Sequence, residues 1–210
     1  MTPETAARYF TRSVGSYVFA RWGRPIVPVF FGMEPVSIAV FKGAVEALCA
    51  LTGHRMAEVD PELGSNLMIF ALREWQELTE TPDLDRLIPD LDPLVARLEV
   101  AEANQYRIFR FDAEGGIRAA FVFLRFDAHL AEVPAEALAL GQIAQTMVLW
   151  SDEAFLGGTP LEIVEGRAML RRDVTALLKA AYHPVLPKAA TEPAHAHRLA
   201  ARIGLMDLGS

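Results

Sequence analysis

Residues 133–152 read VPAEALALGQIAQTMVLWSD. Pro134 suits a helix start, and apolar residues then fill almost every position through Trp150, so the stretch predicts a buried helix over 134–150. Two carboxamides interrupt it, Gln142 and Gln145, and the i, i+3 spacing puts both on one side. Ser151 and Asp152 follow at the exit. A helix this apolar has to lie inside a layered domain, so the flanking elements decide the fold class.

Upstream, YRIFRFD and IRAAFVFLRFD flank Ala113-Glu114-Gly115-Gly116, and the residues 106–127 predict a hairpin whose glycines supply the positive φ of a tight turn. NLMIFAL, 66–72, is a continuous apolar run of strand length, expected to be central and covered on both faces. PIVPVFF, 25–31, predicts a strand, and Pro25 and Pro28, which cannot donate ladder bonds, put it at an edge. Pro35 at a first helical position and Gly53 as a stop bound a helix over 35–52. Residues 5–20 predict a short helix or an irregular arm, and 73–79 one or two helical turns.

The segment TETPDLDRLIPDLDP, 79–93, is rich in Pro and Asp and is expected to be loop, with Asp92-Pro93 opening a helix of about ten residues. After the opening helix, 151–166 is expected to be loop with a short strand. Helices follow over 170–182, ended by His183-Pro184, and from a Thr191 cap to Ile203, with Gly204 as the stop. The order implies an α+β, mixed α/β, layered domain: residues 1–155 form the sheet-bearing part and 156–210 a helical C-terminal part of the same domain.

The 210 residues carry a net charge of −7, and basic residues are scattered apart from Arg21-Trp22-Gly23-Arg24 and Arg171-Arg172, so nucleic acid is not an expected partner. Lys42 and Glu46 interrupt the longest apolar helix, which argues against a membrane span. MTPETAARYFTRSVG lacks the order of a signal peptide, so the chain as written reads as cytoplasmic, or as exported if a signal was removed. Cys49 is the only cysteine and is expected to be a buried small hydrophobe. No G-x-G-x-x-G or G-x-x-x-x-G-K-[ST] motif follows a strand.

Metal and acid–base chemistry find little support. Zinc takes imidazole, thiolate or carboxylate, and a carboxamide neither ligates it well nor accepts a proton near neutral pH. Gln142 and Gln145 are therefore expected to bond backbone or loop, or to line a groove that binds a peptide or small ligand. His129, between hairpin and helix, could face that groove, while His54 is expected at the surface. His195 and His197 sit two apart on a helix, which splays their rings by about 200°. Asp83, Asp85, Asp90 and Asp92 lack the pattern of a calcium loop. Gly141 is expected to allow close approach of a neighbouring element.

Strand, helix, strand, hairpin and then an apolar helix is the layout of the zincin metallopeptidases, and the chain resembles them in that order. Their metzincin pattern H-E-x-x-H-x-x-G-x-x-H, often followed by Asp, falls on Gly141, Gln142, Gln145, Val148 and Ser151, with Asp152 agreeing. The chain more closely resembles a bacterial family catalogued as domain of unknown function 2927, whose zincin-like helix reads E-E-x-x-Q-x-L-G-L-x-N-D. Gln145, Leu149 and Asp152 are shared. Arg21-Trp22-Gly23-Arg24-Pro25, Gly116-Ile117-Arg118-Ala119-Ala120, Leu170-Arg171-Arg172-Asp173, Leu177-Leu178 and Tyr182-His183-Pro184 resemble the other motifs of that family, over about residues 8–200. Both helix glutamates are replaced here, by Gly141 and Gln142.

The resemblance implies a zincin-like fold in residues 1–155, catalytically inactive, without metal or cofactor, acting as a binding or scaffolding module. Its expected groove residues are Gln142, Gln145, Ser151, Asp152 and His129. The expected partner is a peptide or protein, and an oligomer is compatible with the chain. Two alternatives stand beside it: a hydrolase using Asp152, His129 and Glu162 or Glu165, and a structural subunit of a larger assembly.

Overall fold

The computed structural model describes residues 1–207. The fold is α+β, built on a four-stranded mixed sheet: β2 (Pro28–Phe31), β3 (Leu67–Leu72), β5 (Ile117–Arg125) and β4 (Gln105–Phe111), in that spatial order. β2, β3 and β5 run parallel, and β4 returns antiparallel at the edge. Gly115, at φ +81°, closes the β4–β5 hairpin. The Asp112 carboxylate accepts from the Glu114 and Gly116 amides and from Lys188 Nζ, which fixes the turn.

The two faces of the sheet carry separate apolar clusters, and strand alternation divides them. Leu67, Ile69, Ala120, Val122 and Leu124 face α2 (Pro35–Thr52) and α7 (Ala135–Met147). Phe70, Leu72, Phe121 and Phe123 face α3 (Glu77–Glu80), α4 (Leu84–Leu87) and α5 (Leu91–Val100). Burial on both sides explains why β3 and β5 are continuous apolar runs rather than alternating ones.

Helix α2 keeps both expected bounds, with Pro35 in its first turn and Gly53 left-handed at its C-cap. Phe41, Ala44, Val45, Leu48, Cys49 and Thr52 form its buried stripe, and Lys42 and Glu46 are exposed on the far side. By length and composition alone α2 could cross a membrane; here one face of it is core. Burial pushes the Cys49 thiol up to about 11.

The remaining elements wrap the α2–α7 side. α1 (Pro3–Arg8) packs on α9 (Ala194–Asp207), β1 (Phe19–Ala20) pairs with β8 (Ala189–Ala190), and α8 (Arg172–Ala181) touches α2 and α9. The first and last segments thus share one cluster, from Ala6 to Ile203, with the central helix. Short α6 (Ala128–Ala131) leads into α7, and β6 (Leu161–Val164) and β7 (Arg167–Leu170) form a second hairpin.

Several expectations are corrected. The opening helix ends at Met147, not 150, because Val148 turns extended and bridges Arg21. The 79–93 loop contains α4 and the start of α5: Leu84, Ile88 and Leu91 are buried in the second cluster, and Asp83 and Asp90 take left-handed φ just before each helix. Asp92 lies inside α5 rather than capping it. The strand at 25–31 starts only at Pro28. Gly204 lies within α9, where a side chain would meet nothing, so it does not stop the helix. The C-terminal part is not purely helical, since β6, β7 and β8 belong to it. His54 is half-buried, with Nε2 bonded to Arg24 O at 2.8 Å.

Candidate functional site

Helix α7 ends without a glycine cap, so its last carbonyls need other partners. Three aromatic side chains supply them. Trp150 Nε1 donates to Ala144 O at 3.0 Å, Trp22 Nε1 to Thr146 O at 2.8 Å and Tyr182 OH to Met147 O at 2.6 Å. Trp22 is fully buried, and Arg21 stacks over the Tyr182 ring. Residues far apart in sequence thereby fix the end of α7, the helix that carries both glutamines.

Gln142 is 3% exposed. Its Nε2 donates to Gln105 Oε1 at 2.6 Å, and its Oε1 accepts from Arg107 Nη2 at 2.5 Å. Gln145 is half-buried, and its Nε2 donates to Gly141 O at 3.2 Å, one turn back. Two hollows meet beside these side chains, of about 610 Å³ and about 710 Å³, and both are lined by Gln105, Gln145 and Phe155. Together they make a groove between α7, the 151–160 loop and β4.

β4 is the sheet edge on this side. Arg125 N bonds Asn104 O, so alternation along the antiparallel ladder turns the backbone groups of Gln105, Arg107 and Phe109 away from β5. Those same residues send their side chains to the α7 face, and Tyr106 and Ile108 pack on the other.

The remaining expected site residues divide. Ser151 Oγ donates to Thr11 O at 2.6 Å, and Asp152 accepts from the Ser13 amide at 3.0 Å and from Ser13 Oγ. The Ser13 hydroxyl, more than any other group, lowers the Asp152 pKa. These residues stitch the N-terminal arm to the helix exit, although both also line the second hollow. His129 is exposed and lines the first hollow with Glu162. His129 and Asp152 therefore do not share a hollow. Glu165 lines neither and sits at the β6–β7 turn with φ +51°.

Gly141 is approached by Leu161, but a β-carbon there would meet it at an ordinary 3.5 Å, so packing does not demand glycine. Among the described residues, no three His, Cys, Asp or Glu side chains group as metal ligands. Gln142 already uses both polar atoms and lies against a guanidinium, so the donor set does not fit zinc.

The sequence reading missed Arg107, the one charged side chain placed on the α7 face of β4. Burial holds its pKa down to about 10. The signal was available: in YRIFRFD, Arg107 shares its face with Phe109, at a position where alternation toward a core calls for an apolar residue.

A larger hollow of about 920 Å³ opens at the carboxyl ends of the parallel strands, beside Gly32, Phe41, Leu72 and Phe126. It is mainly apolar, and its Glu77 carboxylate is already bonded to the Arg73 and Glu74 amides. Glu34, Ser37 and Arg73 also line it. Comparison of the chain with protein-family models, curated proteins and solved structures finds no match.

Proposed function

We propose that this protein is a catalytically silent, zincin-like binding module, related to the family of domain of unknown function 2927, and that its groove takes an extended peptide segment. The observation that carries the reading is the position of β4: a sheet edge with outward backbone groups runs along the groove, and added strands pair with such edges. The side chains of α7 supply the floor. Gln142 is a carboxamide and so cannot act as a general base, and His129 and Asp152 line separate hollows, so the groove binds without cleaving. The expected partner is a peptide or a mobile segment of another protein.

Selection of random heptapeptides on the purified protein tests this, with Gln145→Trp as a variant whose groove is filled. The reading expects enrichment on the parent and none on the variant. Equal enrichment on both, or stoichiometric zinc together with peptide cleavage, overturns it.

A further inference from the structure

Arg107 carries more positive charge into the groove than its protein partners neutralise. Its Nη2 bonds two neutral carboxamide oxygens, Gln142 Oε1 and, at 3.4 Å, Gln105 Oε1. Its Nε is buried and without a partner. Nη1 has no protein acceptor among the described residues. A guanidinium offers five donors, and only those on Nη2 are used. Buried charges in proteins are normally paired, since an unpaired one bears the full penalty of leaving water.

The surroundings sharpen the point. Arg12 lines the same hollow, and among the described residues neither arginine forms an ion pair. Among the described residues, Asp152 is the one carboxylate lining that hollow, and it accepts bonds from Ser13. Two cations and one carboxylate thus line this hollow, a net positive balance in a protein whose net charge is −7. Two other arginines have a buried Nε without a partner, and neither lines the groove: Arg21, whose Nη atoms bond Trp22 O and Leu186 O and whose plane covers Tyr182, and Arg202, whose Nη2 bonds His183 Nε2.

We propose that Arg107 is the receptor for a carboxylate on the bound peptide, with Arg12 as the outer cation that draws it in. A carboxylate oxygen accepts a charge-assisted hydrogen bond from the free Nη1, and its charge answers that of the guanidinium. The outward backbone groups of Arg107 lie on the open edge of β4, beside the hollow that its side chain lines, so a strand paired there would run past the guanidinium. The peptide's carboxylate is either the C-terminal one or an Asp or Glu side chain. This assignment rests on the peptide-groove reading and adds the chemical class of its ligand.

Three N-acetylated peptides test it by calorimetry: tetra-alanine with a free C-terminus, tetra-alanine amide, and Ala-Ala-Glu-Ala amide. At least one carboxylate peptide is expected to bind about tenfold or more tightly than the neutral amide, with affinity falling as salt rises. Which one binds identifies the source of the carboxylate. Arg107→Met should abolish the preference. Because Arg107 is buried, Gln142→Glu is the companion variant: it keeps the arginine, supplies a carboxylate from within, and should also abolish the preference. If the neutral amide binds as well as the others, the carboxylate assignment fails and the peptide groove stands. If no peptide binds, both fail. A preference that survives in Gln142→Glu also overturns the assignment.

Discussion

Gln142 Oε1 lies 2.5 Å from Arg107 Nη2, so a neutral amide on the central helix partners a buried cation on the sheet edge. The pair couples the groove to stability. Gln142→Leu should destabilise the protein by about 1–3 kcal/mol, because the guanidinium loses an acceptor and stays buried. Adding Arg107→Met should recover part of that loss, since removing both polar partners is less costly than removing one. Urea unfolding of the two variants checks this; a double variant less stable than the single would contradict it.

The aromatic donors at the end of α7 give a second expectation. Trp22→Phe keeps most of the buried ring but leaves Thr146 O without its 2.8 Å donor. A loss of about 1–3 kcal/mol follows from the orphaned carbonyl and the small void. Thermal unfolding should show it as a lower Tm, and an unchanged Tm would mean water or another group satisfies that carbonyl.

Two glycines should respond oppositely to alanine. Gly141 lies mid-helix with room for a methyl, so Gly141→Ala should stabilise by roughly 0.5–1 kcal/mol. Gly32 sits at φ +69°, and a β-carbon there would meet Ala71 O at 2.2 Å. Gly32→Ala should destabilise by more than 1 kcal/mol. Denaturation midpoints of the two variants test both signs.

Acid should act in two windows. His195 is fully buried against Phe19, with Nδ1 2.8 Å from Tyr17 OH. Burial first, then the charges of Arg198 and Arg21, brings its pKa from 6.5 down to about 4. Between those values the unfolded chain binds a proton that the folded protein does not. Stability therefore falls as pH drops from 6.5 to 4, by up to about 3 kcal/mol, and this contribution is complete above pH 6.5.

Asp60 governs the lower window. Burial pushes its carboxyl up, but bonds from the Glu62 and Leu63 amides and Asn66, with the Arg24 charge, outweigh burial and hold it at about 2. Its contribution, about 2 kcal/mol, is present above pH 3.8 and is lost as pH falls through 2. His195→Phe should flatten the first window and Asp60→Asn the second, read as stability against pH.

Much of the fold was legible because its signals are local. Pro35 and Gly53 bound α2 through their own backbone preferences, and Pro28 kept β2 at an edge. Continuous apolar runs marked β3 and β5. Where distant residues decide, the reading failed. Met147 ends α7 because Trp22, Tyr182 and Arg21 meet it from elsewhere in the chain. Leu84 and Leu91 are ordered by the second cluster, which the Pro and Asp pattern around them conceals. The candidate site was half visible: Gln142 and Gln145 stood out, Ser151 and Asp152 proved mainly to be a tie to the N-terminal arm, and Arg107 went unseen because its meaning depends on which face of β4 meets α7.

The most direct measurement is amide hydrogen exchange of the full chain with and without whichever of the three test peptides binds most tightly. The account predicts that the outward amides of Gln105, Arg107 and Phe109 slow when the peptide is present, while the hollow at Gly32 and Leu72 is unchanged. Slowing at Gly32 and Leu72 with none along β4 would contradict it.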